Sequence, residues 1–389
     1  MNRQRGSALL LMLLAVGVMA AYFAVRAMNA GETERDRISS VALGQAKEAL
    51  IGYASAYRYS QEIPSHANEV FGYLPCPDTN NDGISEGTCT TANVSVIGRF
   101  PWRTPSIGLP PLHDSSGECL WYAVSGVAKG SPKTPVLNWD TPGQFRLQNA
   151  DGALLTGASP HEQPLAVLFA SQNALAALGQ SRLSSPGLIS ECPGNFTLNN
   201  YLEGTNVAAG ANVVSTITLG TLSSRRAGTN NDQAVWINSK DVFDRIKIRN
   251  DFKADIDGVV SDLADYLNSV SVASLPATST GDKGTTGLIN DFVLAHPGWP
   301  AVKTAVRANW QDNILYSRPP ALSVVNGAPD CAAVLLFSGE RTQRTTLPVG
   351  SQIRAIPAQT GSAAVFGDPA MYLEGPNTIF PASGTYTAN

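Results

Sequence analysis

Charge is in short supply in this chain. Only 15 % of its 389 residues are Asp, Glu, Lys or Arg, and the net charge is −4. Nothing in that balance points to nucleic acid, because phosphate binding rests on clustered Lys and Arg. Histidine is scarcer still. His66, His113, His161 and His296 are the full set, and no two stand at a metal-ligand spacing. There is no Gly-x-Ser-x-Gly elbow and no phosphate-cradling glycine loop. Ser338-Gly339-Glu340-Arg341 carries polar groups after a strand-like run but has no base partner in sequence. The sequence gives no positive sign of an enzyme, and the expectation is a protein without catalytic residues.

What the chain has in quantity is Gly (35) and Pro (25), with Ser, Thr and Asn throughout. That composition suits a loop-rich exported protein with β-structure better than a helical bundle. Its length allows two domains with cores of their own. Five cysteines are an odd number, so pairing in an oxidising compartment leaves one thiol over.

The start of the chain organises the rest. Met1 to Gly6 is a short leader with Arg3 and Arg5, and Ser7 to Val25 is 19 residues without a charge. A run of that length suffices for a membrane span, and the basic leader predicts a cytoplasmic N-terminus with the remainder exported. From Ile38 to Tyr57 apolar residues recur at Ile38, Val41, Ala42, Ala46, Ala49, Leu50, Tyr53 and Tyr57. Their three-or-four spacing marks one apolar helix face, and Pro64 sets its latest end. One continuous helix of about fifty residues is expected, its upper half packed on a head.

A six-residue basic leader ending in glycine, followed at once by an apolar helix, resembles the class III leader of type IV pilins and type II secretion pseudopilins. The resemblance implies cleavage by a prepilin peptidase between Gly6 and Ser7, and methylation of the new N-terminus. The family usually has a glutamate at the fifth mature position, where this chain has Leu11. The large minor pseudopilin at the pilus tip also lacks that glutamate. Asp114-Ser-Ser-Gly117, before the run Leu120 to Val124, is similar to the Asp-x-x-Gly turn of major pseudopilin heads.

The most chemically specific stretch of the head is Asp78-Thr-Asn80-Asn-Asp82-Gly83-Ile84-Ser-Glu86. Asp78, Asn80 and Asp82 stand at positions 1, 3 and 5 of an EF-hand-like loop, with Ile84 at 7 and Glu86 at 9. Structural Ca2+ is the cofactor such a loop would take; the other reading is a solvated Asx-rich turn. Position 12, normally glutamate, is Cys89. Cys76 and Cys89 bracket the loop and are placed to close it with a disulfide. Cys119 and Cys192 are the expected second pair, leaving Cys331 free and buried.

Strands are expected at Leu120–Val124, Leu165–Ala170, 213–222, 233–237, 310–316 and 332–337, and a helix over 241–270. Residues 129–163 and 274–287 read as loops. Two segments, Tyr201-Leu-Glu203-Gly204-Thr-Asn206 and Tyr372-Leu-Glu374-Gly375-Pro-Asn377, share five of six residues at a separation of 171. Each follows a similar apolar run, Ala166–Ala170 and Ala333–Phe337. This predicts a duplicated unit, in which Gly supplies a positive φ, Asn caps a turn and Tyr and Leu anchor it. A pairing of Glu203 with Glu374 as acid and base is the functional alternative.

The expected fold is α+β: a long N-terminal transmembrane and amphipathic helix packed on a pilin-like antiparallel β head, duplicated with a second helix-plus-sheet unit. Its parts are a leader (1–6), a transmembrane helix (7–27), an amphipathic continuation (28–60), a first head (61–240) and a second unit (241–389). The expected location is the bacterial inner membrane, single-pass, with a periplasmic head. The expected role is that of a minor pilin or pseudopilin near a filament tip, acting in assembly priming, substrate contact or adhesion. Its partners would be other pilins, the prepilin peptidase, the inner membrane, and a secreted substrate or surface ligand. The alternatives are an anchored binding protein outside any filament and an exported enzyme.

Overall fold

The computed structural model describes residues 4–60, 69–134, 137–158, 162–182, 191–207, 214–275, 301–341, 352 and 372–388. Pro64, His66, His161, His296, Met371 and most of the loop expected over 274–287 lie outside them.

Helix α1 spans Gln4–Ser55. It contains no proline, and nothing lies within 4 Å of where a Cβ would stand on Gly17, Gly31, Gly44 or Gly52. Its last third buries Ala42, Leu43, Ala46, Leu50, Tyr53 and Ala54 against strands β5 (Ala166–Ala170) and β7 (Gln233–Ile237) and helix α3 (Ser239–Ile246). Among the described residues no helix is long and apolar enough to cross a membrane. The transmembrane helix expected over 7–27 and the single-pass inner-membrane location are corrected accordingly.

The head is built on an antiparallel four-stranded sheet in the order β1-β2-β5-β7, with β1 at Val96–Arg99 and β2 at Trp121–Val124. Strand β5 is a continuous apolar run because both of its faces are covered, and all five residues are 0 % exposed. Ala166, Leu168 and Ala170 face the cluster that contains Leu50 of α1 and Tyr57 just beyond it. Val167 and Phe169 face a second cluster with Trp121, Phe145, Leu147 and Tyr201. The alternation is the period of two that a strand imposes.

The second cluster is roofed by a separate sheet. Strands β3 (Phe145–Asn149) and β4 (Leu154–Thr156) form a hairpin, and β6 (Ser215–Leu219) lies parallel to β3. Helix α2 (Leu222–Ala227) leads to β7, and α4 (Asn250–Ser269) and α5 (Ala301–Trp310) follow α3. Strands β8 (Ile314–Ser317) and β11 (Val334–Phe337) pair antiparallel. Between them in sequence, β9 (Ser323–Val325) and β10 (Ala328–Cys331) form a hairpin, and β12 (Thr385–Tyr386) lies parallel to β9. The connectivity β2, hairpin, β5, β6 thus recurs as β8, hairpin, β11, β12.

Two further corrections follow. The expected wholly antiparallel head gives way to several separate sheets, two of which contain a parallel pair. Parallel pairing joins strands far apart in sequence, which alternation within each strand does not reveal. The helix expected over 241–270 is two helices, α3 and α4, with Lys247–Arg249 between them. One core also crosses the expected boundary at residue 240, since Tyr53 and Leu168 share a cluster with Ile256, Val306, Trp310 and Tyr316.

Candidate functional site

The largest apolar surface left uncovered among the described residues is on α1. Leu14, Val16, Val18, Met19, Tyr22 and Phe23 are each 58–64 % exposed. At about 100° per residue they spread over an arc of roughly 200°, with Gly17 and Ala20 on the remaining side. The backbone at Gly6, Ser7 and Leu11 is helical.

The helix meets the head gradually. Glu32 faces Arg226 at 3.7 Å, and Asp36 accepts a hydrogen bond from Arg225 at 2.7 Å and another from Gln233. Ser39 is the first buried described residue of α1. Its Oγ accepts from the Ser115 amide at 3.0 Å and from Gln172 Nε2 at 2.8 Å. Asp114 holds the same knot: Oδ1 accepts from the Ser116 and Glu118 amides, and Oδ2 accepts from the Gln172 amide. From Gln4 to Gly31 the helix extends for about 42 Å at 1.5 Å per residue, and its described side chains between Leu14 and Gly31 are all exposed. A long exposed apolar surface on an otherwise well-packed protein marks an interaction site.

The loop singled out for calcium is closed by its own amides. Asp78 Oδ1 accepts from the amides of Asn80, Asn81 and Asp82, and Oδ2 accepts from Gly83 at 2.8 Å. Asn80 Oδ1 accepts from Asp82, Asp82 Oδ1 from Ile84, and Glu86 Oε1 from the Thr79 amide and hydroxyl. Burial raises the Asp78 pKa above its ordinary value. The disulfide Cys76–Cys89 clamps the loop across a Cα separation of 5.9 Å. Cys89 is therefore no ligand, and among the described residues no group of three or more His, Cys, Asp or Glu comes together to hold a metal. The donor set as arranged is an Asx-turn ladder, in which the side-chain oxygens of Asp78, Asn80 and Asp82 each accept an amide two to five residues on.

Cys119–Cys192 is the second disulfide, and Cys331 is the free thiol, half-buried rather than buried. His113 Nε2 lies 3.0 Å from the Glu191 carbonyl oxygen.

The two Tyr-Leu-Glu-Gly-x-Asn segments adopt one conformation. Gly204 and Gly375 have φ of +53° and +55°. Tyr201, Leu202, Tyr372 and Leu373 are all buried. Asn206 donates Nδ2 to the Thr218 carbonyl at 2.8 Å and accepts the Thr218 amide at 2.7 Å. Asn377 repeats this at Thr387, at 2.7 and 2.9 Å. Each asparagine thus clamps the parallel strand of its own sheet, β6 or the end of β12.

The two glutamates differ. Glu203 is 2 % exposed, and its carboxylate accepts from Gln180 Nε2 at 2.7 Å and from the Asn231 amide at 3.1 Å. Asp232 Oδ2 accepts from the Glu203 amide and from Asn206 Nδ2. Burial raises the pKa of both acids, and their mutual repulsion adds to it for Asp232. Glu374 is exposed. Glu203 has Asp232 as its acidic neighbour, and the arrangement is one of support for the turn.

Sequence reasoning missed two buried cations. Lys129 is 0 % exposed, and its Nζ donates to the carbonyls of Cys89, Thr91 and Val94 and to Thr90 Oγ1 at 2.5–3.0 Å. The guanidinium of Arg99 lies 4.2 Å from the Trp121 ring centroid and 4.3 Å from that of Tyr201, and donates to the Cys119 carbonyl at 2.6 Å. No sequence signal marks the lysine, because its cage is mostly backbone oxygen. For Arg99 the only cue was a charge within an apolar stretch. Comparisons with known proteins find no matching family model, no matching curated protein and no matching solved structure.

Proposed function

We propose that this chain is an exported, pilin-like minor subunit that assembles through its N-terminal helix and carries its head near a filament tip. One observation supports the reading above others: an uncovered apolar stretch, Leu14 to Phe23, projects on a continuous helix from a head that buries the same helix from Ser39 onward. Apolar helices of neighbouring subunits would remove that surface from water. Two disulfides suit an exported head. Leu11, in place of the family's glutamate, suits a subunit with none above it. The head would prime assembly, contact a secreted substrate or adhere to a surface.

The mature N-terminus, read by mass spectrometry from cells with and without a prepilin peptidase, tests this. A peptidase-dependent chain beginning at N-methylated Ser7 is expected. An uncut Met1, or a cut near Ala20 to Ala30, sinks the filament reading.

A further inference from the structure

The recurrence of connectivity leaves one strand position filled in the first unit and, among the described residues, open in the second. In the first, β5 is flanked by β2 on one side and β7 on the other, with Leu168 opposite both Tyr122 and Val235. In the second, β11 has β8 on one side, with Leu335 opposite Tyr316. Among the described residues no strand pairs with its other edge. The residues correspond one for one: Ala166-Val-Leu-Phe-Ala170 with Ala333-Val-Leu-Leu-Phe337.

Burial follows the difference. All of β5 is 0 % exposed, whereas Leu335, Leu336 and Phe337 are half-buried, although the same core cluster receives Leu335 and Phe337. The molecule itself shows what fits such an edge. β7 is Gln233-Ala-Val-Trp-Ile237, led by Asn231 and Asp232, which dock on the Glu203 turn.

We propose that the free edge of β11 accepts an extended strand from a separate protein chain, antiparallel and in the register β7 takes on β5. Backbone hydrogen bonds supply the affinity and alternate side chains the selectivity. The register sets a small residue opposite Leu336 and an aromatic residue opposite Val334, as Ala234 and Trp236 stand opposite Phe169 and Val167. The N-terminal end of the donor passes the Phe337 end of β11. This reading does not depend on assembly through α1.

The test uses the full chain and a synthetic peptide copying residues 230–238, which carries a photo-reactive group in place of Val235. Saturable one-to-one binding is expected, with cross-links mapping to 331–340. N-methylation of alternate peptide amides should weaken binding at least tenfold, since it removes donors and leaves the side chains intact. Cross-links to 165–172 would mean displacement of β7 and overturn the proposal. So would equal binding by the N-methylated peptide, or no binding. Full exchange protection of the Val334–Phe337 amides in the free monomer would show the edge already filled by its own chain. A dimer held through β11 would make a second copy the occupant. Either result also overturns it.

Discussion

At the residue scale, buried polar groups carry the sharpest consequences. Burial lowers the pKa of Lys129 only to about 8, so it is an ammonium at neutral pH, and it satisfies four oxygens at once. Lys129→Met keeps the apolar stem and takes the ammonium from those acceptors, of which the Val94 carbonyl keeps the Thr90 hydroxyl as a donor. At 1–3 kcal/mol for each unsatisfied group, we expect more than about 3 kcal/mol of lost stability, read by urea unfolding at pH 7. The Glu203–Asp232 pair predicts a pH dependence. Both folded-state pKa values lie above their ordinary values, so the native state holds protons that the unfolded chain releases. The pair's contribution is complete below the unfolded carboxyl pKa, near 4, and is lost as pH rises through the folded values. Asp232→Asn should flatten the decline in unfolding free energy above pH 4. An unchanged slope would mean that the pair shares no proton.

At the element scale, the asparagine clamps and the disulfides do the joining. Asn377→Ala removes two hydrogen bonds to Thr387 and should free β12 from β9. Amide exchange at Val324 and Thr387 should accelerate while β8 and β11 stay protected. Of the two disulfides, Cys119–Cys192 closes a loop of 73 residues and Cys76–Cys89 one of 13. Loop-closure entropy makes the longer bond worth about 1.5 kcal/mol more, so the Cys119→Ala/Cys192→Ala double variant should unfold at lower denaturant than Cys76→Ala/Cys89→Ala.

Much at this scale was legible in the sequence. The spacing of Ala42, Ala46, Leu50 and Tyr53 gave the buried face of α1. The apolar run Leu165–Ala170 gave β5, and five shared residues gave the matching turns. What was not legible depends on distance or on backbone. β3 and β4 lie in a stretch rich in Gly and polar residues that reads as loop, and become strands because β6 arrives from about 70 residues downstream. The break between α3 and α4 has no Gly or Pro to announce it. The Asx ladder at Asp78 reads like a calcium loop because both use side-chain oxygens at alternate positions.

At the scale of the whole molecule, the head has its own core and α1 extends beyond it. Replacing Leu14, Val18 and Phe23 by Glu should abolish assembly with partner subunits while leaving the thermal midpoint of the head within about 2 °C, because those side chains are each at least 60 % exposed. A drop in that midpoint would show the exposed stretch packing on the chain itself.

The knot at Ser39 has a mechanical side. A pull applied along the free length of α1 reaches the head at Asp36 and Ser39 and runs parallel to the face carrying Ala42, Ala46 and Leu50. The contacts are then loaded in shear, together, and not peeled one after another. Asp114 exchanges backbone and side-chain hydrogen bonds with Glu118, next to Cys119, so the disulfide Cys119–Cys192 follows the anchor point directly in the chain. The fold is shaped to bear tension along one axis and to hand it to the sheet without unravelling.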